Sequence, residues 1–280
     1  MNFINITTML ARGKVHYAFG RFYFVRRCYS FFKRNFFKIT QPQLVTSKKG
    51  TIFSKIAIEN AVDDLKKKAV SFGFNLSEGD VREIDQFANE RKCFRSGDRK
   101  VFLPDEVKLG KLSDGHSVVL GFVQEPEQCS VIDRIKKDER LLAVCAKYLG
   151  YEPTKIETRL FWSFVTDESD ATRREKWQTT GYHFDVDGFN FVYANFYITP
   201  VNRYTGAHVM MQHSHNQKPL RMLFHSAVQT DEAVIAYYGK ENEITIEGPA
   251  GFGFVQDSSC YHKALAPISD NRLMLQLRIK

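Results

Sequence analysis

The chain has 280 residues, 43% of them hydrophobic and 26% charged, which is globular composition and excludes a wholly disordered, collagen-like or coiled-coil protein. The longest uncharged run, Gly188–Asn202, falls short of the ~18 residues of a membrane-spanning helix. The formal charge of +8 is confined to one end: residues 1–50 carry ten Lys and Arg and no acid, whereas the rest carries 30 basic and 32 acidic residues. A basic protein of this kind owes its charge to a segment, so nucleic-acid binding by the whole chain is not indicated. The five cysteines, Cys28, Cys93, Cys129, Cys145 and Cys260, are odd in number and lack CxxC spacing. That argues against a disulfide framework or a thiolate zinc site and fits a reducing cytoplasm.

Residues 1–50 read as a basic aromatic tail and linker, and 51–280 as one domain with a helical shoulder (51–150) and a strand-rich core (151–280). In the tail, Phe and Tyr interleave with Arg and Lys over residues 15–38. Three readings fit: peripheral membrane contact, packing on the body or a partner, or a targeting peptide. Gln41–Gly50 is polar and reads as the linker.

The shoulder opens with a helical period over 54–70, ended at Gly73. A second helix is expected to start at Ser77, which can cap it, with Glu78 and Asp80 in the first turn. Residues 92–118 read as loops with short strands. A third helical region spans 126–148, broken near Lys137–Asp138 and ended by Gly150. From Lys155 onward the segments are short and rich in β-branched and aromatic residues. Expected strands are 156–165, 181–185, 189–199, 208–212, 243–247, 252–256, 260–266 and 272–279. Eight strands without intervening helices imply an antiparallel sandwich or barrel.

The chemistry concentrates in this half, which holds six of the eight histidines. His183-Phe184-Asp185 is an HxD. On a strand, residues i and i+2 share a face, so the imidazole and the carboxylate are presented together. One more His completes a 2-His-1-carboxylate facial triad, which holds Fe(II) and leaves coordination positions open. Candidates for the third ligand are His262, His213 and His215. His262 has Arg272 ten residues on, a spacing that lets a guanidinium fork hold a dicarboxylate whose other end meets the metal. His213 and His215 lie in a polar, turn-like stretch and read mainly as structural. His225 has no partner pattern.

The run from Trp177 to Gln217 resembles the central motif of phytanoyl-CoA dioxygenase-like proteins. The matching residues are His183-Phe184-Asp185, Ile198-Thr199-Pro200-Val201, Gly206 and Ser214-His215. The C-terminal run from Gly248 to Lys280 resembles the last strands of that family, with His262 as the distal histidine. Residues 132–163 resemble the helix and strand that precede its core. The resemblance covers about residues 130–280, and residues 60–130 more weakly. Two departures are the absence of Pro-Gly before Ser214-His215 and Tyr182 where Trp is frequent.

The resemblance implies a mainly β (α+β) chain with a double-stranded β-helix, or jelly-roll, core. It implies Fe(II), 2-oxoglutarate and O2 as cofactor and co-substrates. His183, Asp185 and His262 would be the metal ligands, with Arg272 for 2-oxoglutarate. The activity would be hydroxylation of a small-molecule or lipid-linked substrate. Asp185, where a halogenase has a small residue, argues against halogenation. Trp162, Arg159, Tyr193 and Asn195 are candidates for the pocket wall by parity, with core or surface roles as the alternative. Asn195 is the residue expected to bond a 2-oxoglutarate carboxylate. Asp187 shares the HxD face and is expected at a solvated strand end. A non-catalytic jelly-roll module binding a sugar or lipid is the competing class, and iron content discriminates the two.

Overall fold

The computed structural model describes Gly13 and residues 15–36, 50–96 and 100–280. The expected linker therefore lies outside the described residues except for Gly50. Two helices precede the body, α1 (Val15–Phe19) and α2 (Tyr23–Phe36). The shoulder contains α3 (Ile58–Lys68), α4 (Glu78–Glu90), α5 (Ser130–Lys136) and α6 (Glu139–Leu149), with four short strands between them. These strands are β1 (Val70–Phe72), β2 (Cys93–Arg95), β3 (Val101–Phe102) and β4 (Leu120–Val123).

Local sequence signals set the helix ends. Ser77 caps α4 by accepting the Asp80 amide. Asp138 takes the Arg140 and Leu141 amides and so separates α5 from α6. Gly150, with φ 82°, closes α6. Helix α3 ends earlier than expected, at a left-handed Ala69 (φ 66°), because the next three residues are drawn into the sheet as β1.

The second half contains β5 (Ile156–Ser163), α7 (Asp170–Glu175), β6 (Val192–Tyr197), β7 (His208–Met211), α8 (Leu220–Phe224) and α9 (Asp231–Tyr238). It finishes with β8 (Glu243–Ile246), β9 (Gly253–Gln256), β10 (His262–Ala264) and β11 (Arg272–Ile279). Helices α7, α8 and α9 correct the expectation of strands alone. Ser169 and Thr230 cap α7 and α9 through their side chains, a signal that the strand-rich surroundings masked.

An eight-stranded antiparallel sheet in the order β1-β9-β6-β11-β5-β4-β2-β3 faces a three-stranded sheet, β10-β7-β8. Alternation along β11 decides what each face does. Leu273, Leu275, Leu277 and Ile279 point into a core shared with Leu65, Ile84, Ile132, Leu141 and Val144 of the shoulder helices. Arg272, Met274, Gln276 and Arg278 point the other way, between the sheets, where Met274 joins Tyr197, Met210, Ile246 and Phe254. Helices α8 and α9 supply Met222 and Val234 to a third cluster with Tyr182, Phe184 and Tyr261. The result is an α+β chain with a jelly-roll core, as expected.

Candidate metal centre

His183 and Asp185 lie on a segment that forms single bridges rather than a regular strand. Its backbone is shared among neighbours. The amides of His183 and His262 each donate to the other's carbonyl, at 2.9 and 2.8 Å, Phe184 donates to Ala227, and Asp185 donates to the Ser258 carbonyl at 2.9 Å. The reciprocal pair puts both imidazoles on one side, with ring centroids 4.3 Å apart.

Nε2 of His183 and Nε2 of His262 each lie 3.9 Å from an oxygen of Asp185. Donor atoms of all three residues fall within 4.8 Å of one another, a group that one ion can draw together. The other ring nitrogens are spoken for: Nδ1 of His183 is 3.2 Å from the Gly181 carbonyl, and Nδ1 of His262 is 3.0 Å from the Cys260 carbonyl. A carbonyl only accepts, so each Nδ1 carries the proton and each Nε2 presents its lone pair to the cluster. Burial, then the neighbouring His183, lowers the His262 pKa to about 4, which favours the neutral, ligating form. Burial by itself would raise the Asp185 pKa. His262, His183 and Arg278 outweigh it and hold the carboxyl below its ordinary range.

Arg272, 4% exposed, begins β11 opposite Ser163. Its Nη2 donates to Ser163 Oγ at 3.0 Å and its Nη1 to the Gly206 carbonyl. Its Nε is buried and has no hydrogen bond, as are Nε2 of His208 and Oε1 of Gln256. The His208 ring stacks on His262 at 5.2 Å. Burial, followed by His262 and Arg272, pushes its pKa well down, so it is a neutral imidazole. His208 was not singled out by sequence reasoning. Its signal is the parity of a lone histidine among the apolar residues of β7.

Asn195 is buried on the same inner face, and its Oδ1 accepts from Gln276 Nε2 at 3.1 Å. Asp187 is not a solvated strand end. It accepts from Tyr193 Oη at 2.9 Å and Lys280 Nζ at 2.6 Å, and Arg278 lies at 3.5 Å. Trp162 packs in the helix-facing core and not on the site. Arg159 and Tyr193 share the inner face with Asn195. His215 is buried against the Lys66 carbonyl at 3.0 Å, and His213 occupies a left-handed turn (φ 63°). Neither joins the cluster. The His225 carbonyl accepts from Arg21 at 3.1 Å.

The N-terminal helices reach the site's support. Arg26, 3% exposed, donates to Asn190 Oδ1 at 2.7 Å, to Asp257 at 2.8 Å and to Ser259 Oγ. Asn190 follows the HxD segment, while Asp257 and Ser259 sit in the loop between β9 and β10. One guanidinium thus ties both chain segments that carry the candidate ligands. Nothing in the sequence separates Arg26 from the nine other cations of the tail.

No family model and no curated protein matches the chain. Solved structures do. EctD from S. alaskensis with 2-oxoglutarate and 5-hydroxyectoine is similar at a TM-score of 0.55 and 13% identity, over 86% of this chain and 81% of that one. The non-heme alpha ketoglutarate dependent epimerase SnoN from nogalamycin biosynthesis gives 0.51 and 14%, over 80% and 83%. EvdO2 from Micromonospora carbonacea var. aurantiaca complexed with 2-oxoglutarate gives 0.51 and 11%, over 82% and 93%. The chain has the fold of these 2-oxoglutarate-binding proteins.

Proposed function

We propose that this protein is an Fe(II)- and 2-oxoglutarate-dependent oxygenase of the phytanoyl-CoA dioxygenase-like kind that hydroxylates an organic substrate. The observation that carries the reading is the cluster of His183, Asp185 and His262, with both Nδ1 atoms tied to carbonyls and both Nε2 atoms free for a metal. The donor set, two imidazoles and one carboxylate, suits non-heme Fe(II). The buried, unpaired Nε of Arg272 fits a carboxylate delivered by a small molecule.

When bound, iron, 2-oxoglutarate and O2 would supply the oxidation, one oxygen atom going into succinate as CO2 is released and the other into a C–H bond of the substrate. The protein's residues prepare that chemistry. His183, Asp185 and His262 would hold the metal. Arg272 orients the far carboxylate, with Ser163 and the Gly206 carbonyl fixing its guanidinium. His208 stacks its neutral ring on that of His262 and backs one ligand.

Anaerobic Fe(II) and 2-oxoglutarate, read by the visible metal-to-ligand charge-transfer band, test the proposal. Wild type is expected to show the band, His183→Ala to lose it, and Arg272→Ala to require ~10–100-fold more 2-oxoglutarate for a lost charge-assisted contact of about 1.5–3 kcal/mol. A folded wild type without the band would leave the non-catalytic binding module as the better account.

We also propose peripheral membrane contact through the N-terminal helices. Phe24 and Phe36 are 76% and 67% exposed, and Phe31, Phe32, Arg27 and Arg34 are exposed beside them. Aromatic rings and cations on one surface suit an anionic lipid interface. Among the described residues no helix is long and apolar enough to cross a membrane.

A further inference from the structure

Strands β5, β11 and β6 align their inner-face residues in rows. Arg272 faces Ser163 in the first row. Gln276 lies between Arg159 and Asn195, and Arg278 lies between Glu157 and Tyr193. From Ser163 to Arg159 the strand advances ~13 Å at about 3.3 Å per residue, so the second cationic group is separate from Arg272.

The polar groups at this end are nearly all engaged. Arg278 donates from Nε to Gln276 Oε1 at 2.8 Å, approaches Asp187 at 3.5 Å and lies 4.7 Å over the Tyr193 ring. Lys280 reaches Asp187 at 2.6 Å and Glu157 at 3.2 Å, and Lys155 reaches Glu157 at 2.6 Å. Two carboxylates are thus already divided among three cations. The Arg159 side chain is half-buried beside them and has neither an ion pair nor a hydrogen bond among the described residues. Burial and the repelling Arg278 cation lower its pKa, opposed by Tyr193, Asp187 and Asp185. A guanidinium fork left free on the inner face, within the field of Asp185, lacks only an oxyanion.

We propose that Arg159, backed by Arg278, binds a carboxylate or phosphate group of the substrate, so that the molecule oxidised at this site is an anion. The inference rests on the metal-centre reading for the word substrate, but the anion site itself does not. Arg272 serves one anion at one end of the inner face, and Arg159 a second anion at the other. An uncharged lipid or sugar would leave Arg159 half-buried and unpaired in the complex, at a cost in affinity.

The test uses the unmodified protein under anaerobic conditions with saturating 2-oxoglutarate, with and without Fe(II). Phenylglyoxal modifies arginine side chains, and peptide mass spectrometry follows the adduct on Arg159. Inorganic phosphate or acetate is then added as the probe. Either anion at ~10 times its Kd is expected to slow modification of Arg159 about tenfold. Protection at lower phosphate than acetate assigns a phosphorylated substrate, and the reverse order a carboxylate. No protection by either overturns the proposal. Full protection by 2-oxoglutarate before any probe is added also overturns it, because Arg159 would then belong to the co-substrate site. Protection without a charge-transfer band would overturn the metal-centre reading while leaving the anion site standing.

Discussion

The Arg26 guanidinium meets the Asp257 carboxylate at 2.8 Å, with their side chains 4% and 0% exposed. The first belongs to an N-terminal helix and the second to the loop that leads into His262, so a contact across more than two hundred residues braces one arm of the candidate metal centre. Tyr148 also donates to Asp257, and Asp257 accepts the Ser259 amide at 2.9 Å. The neighbouring Ser258 carbonyl takes the amide of Asp185.

Removing one partner of this pair leaves a buried charge uncompensated. Arg26→Met is therefore expected to lower stability by about 3–5 kcal/mol and to weaken Fe(II) binding, with Arg26→Lys intermediate. Burial would raise the Asp257 pKa, but Arg26 and His215 reverse that and depress it strongly. A depressed carboxyl stabilises the fold above its unfolded pKa of about 3.9, and that contribution is lost as pH falls further. Thermal melts from pH 7 to pH 3 should show an acid-side loss in wild type that is smaller in Arg26→Met. Equal acid slopes would show that the pair does not govern it.

The turn between α1 and α2, just ahead of the helix that carries Arg26, sits close to the residues after the HxD because residue 20 is glycine. A Cβ there would meet the Gly188 carbonyl oxygen at 2.5 Å and the His16 carbonyl oxygen at 2.7 Å, both backbone atoms that cannot swing aside. Gly20→Ala is expected to cost about 1–3 kcal/mol by overpacking. It should also raise the Fe(II) concentration needed for half-saturation, measured anaerobically by the charge-transfer band. An unchanged melting temperature would mean that α1 is not seated on Gly188.

Lys218 is a half-buried cation under a different constraint. It donates to the Ser214 carbonyl at 2.6 Å and to the Ser259 carbonyl, with its ammonium 4.8 Å over Phe184 and 5.5 Å over Tyr261. Burial lowers its pKa to about 7, opposed by Cys260 and Asp257 and assisted by Arg26 and Arg21. Between that value and the unfolded value of about 10.4 the unfolded chain binds more protons, so this group makes stability rise with pH. Melting curves of wild type and Lys218→Met should therefore diverge in favour of wild type from pH 7 to pH 10, by on the order of 4 kcal/mol. A constant difference would place the lysine's pKa near its ordinary value.

The exposed aromatic face of the N-terminal helices gives a salt-dependent prediction. Sedimentation with vesicles containing phosphatidylserine should carry the protein down at low ionic strength and release it as salt rises past the ~0.1 M at which the Debye length is about 10 Å. Phe24→Ser with Phe36→Ser should weaken the binding with little change in melting temperature, since both rings face water. Equal sedimentation by neutral and anionic vesicles, or by neither, would count against an anionic lipid surface.

What the sequence determined by itself was local. The Ser77 cap, the break at Lys137–Asp138, the Gly150 terminus and the strand at Arg272–Ile279 each depend on residues a few positions apart, and each stands where the sequence places it. The HxD was legible for the same reason, because two side chains at i and i+2 need only an extended backbone to share a face. His262 stood out through its ten-residue spacing to Arg272 and through motif order.

Tertiary structure decided the rest. The segment at 181–185 is not a regular strand because its amides are divided among three neighbours. His208 enters the site only because β7 pairs with β10, and Arg159 is left without a counterion only because Lys155, Arg278 and Lys280 take Glu157 and Asp187. Arg26 reads as one cation in a basic tail until the fold carries Asp257 to it. A short stretch of chain fixes its own backbone. Whether a charge ends in water, in an ion pair or free beside a candidate metal centre depends on which distant residues the packed sheets bring within a few ångströms, where Coulomb energy and desolvation are large.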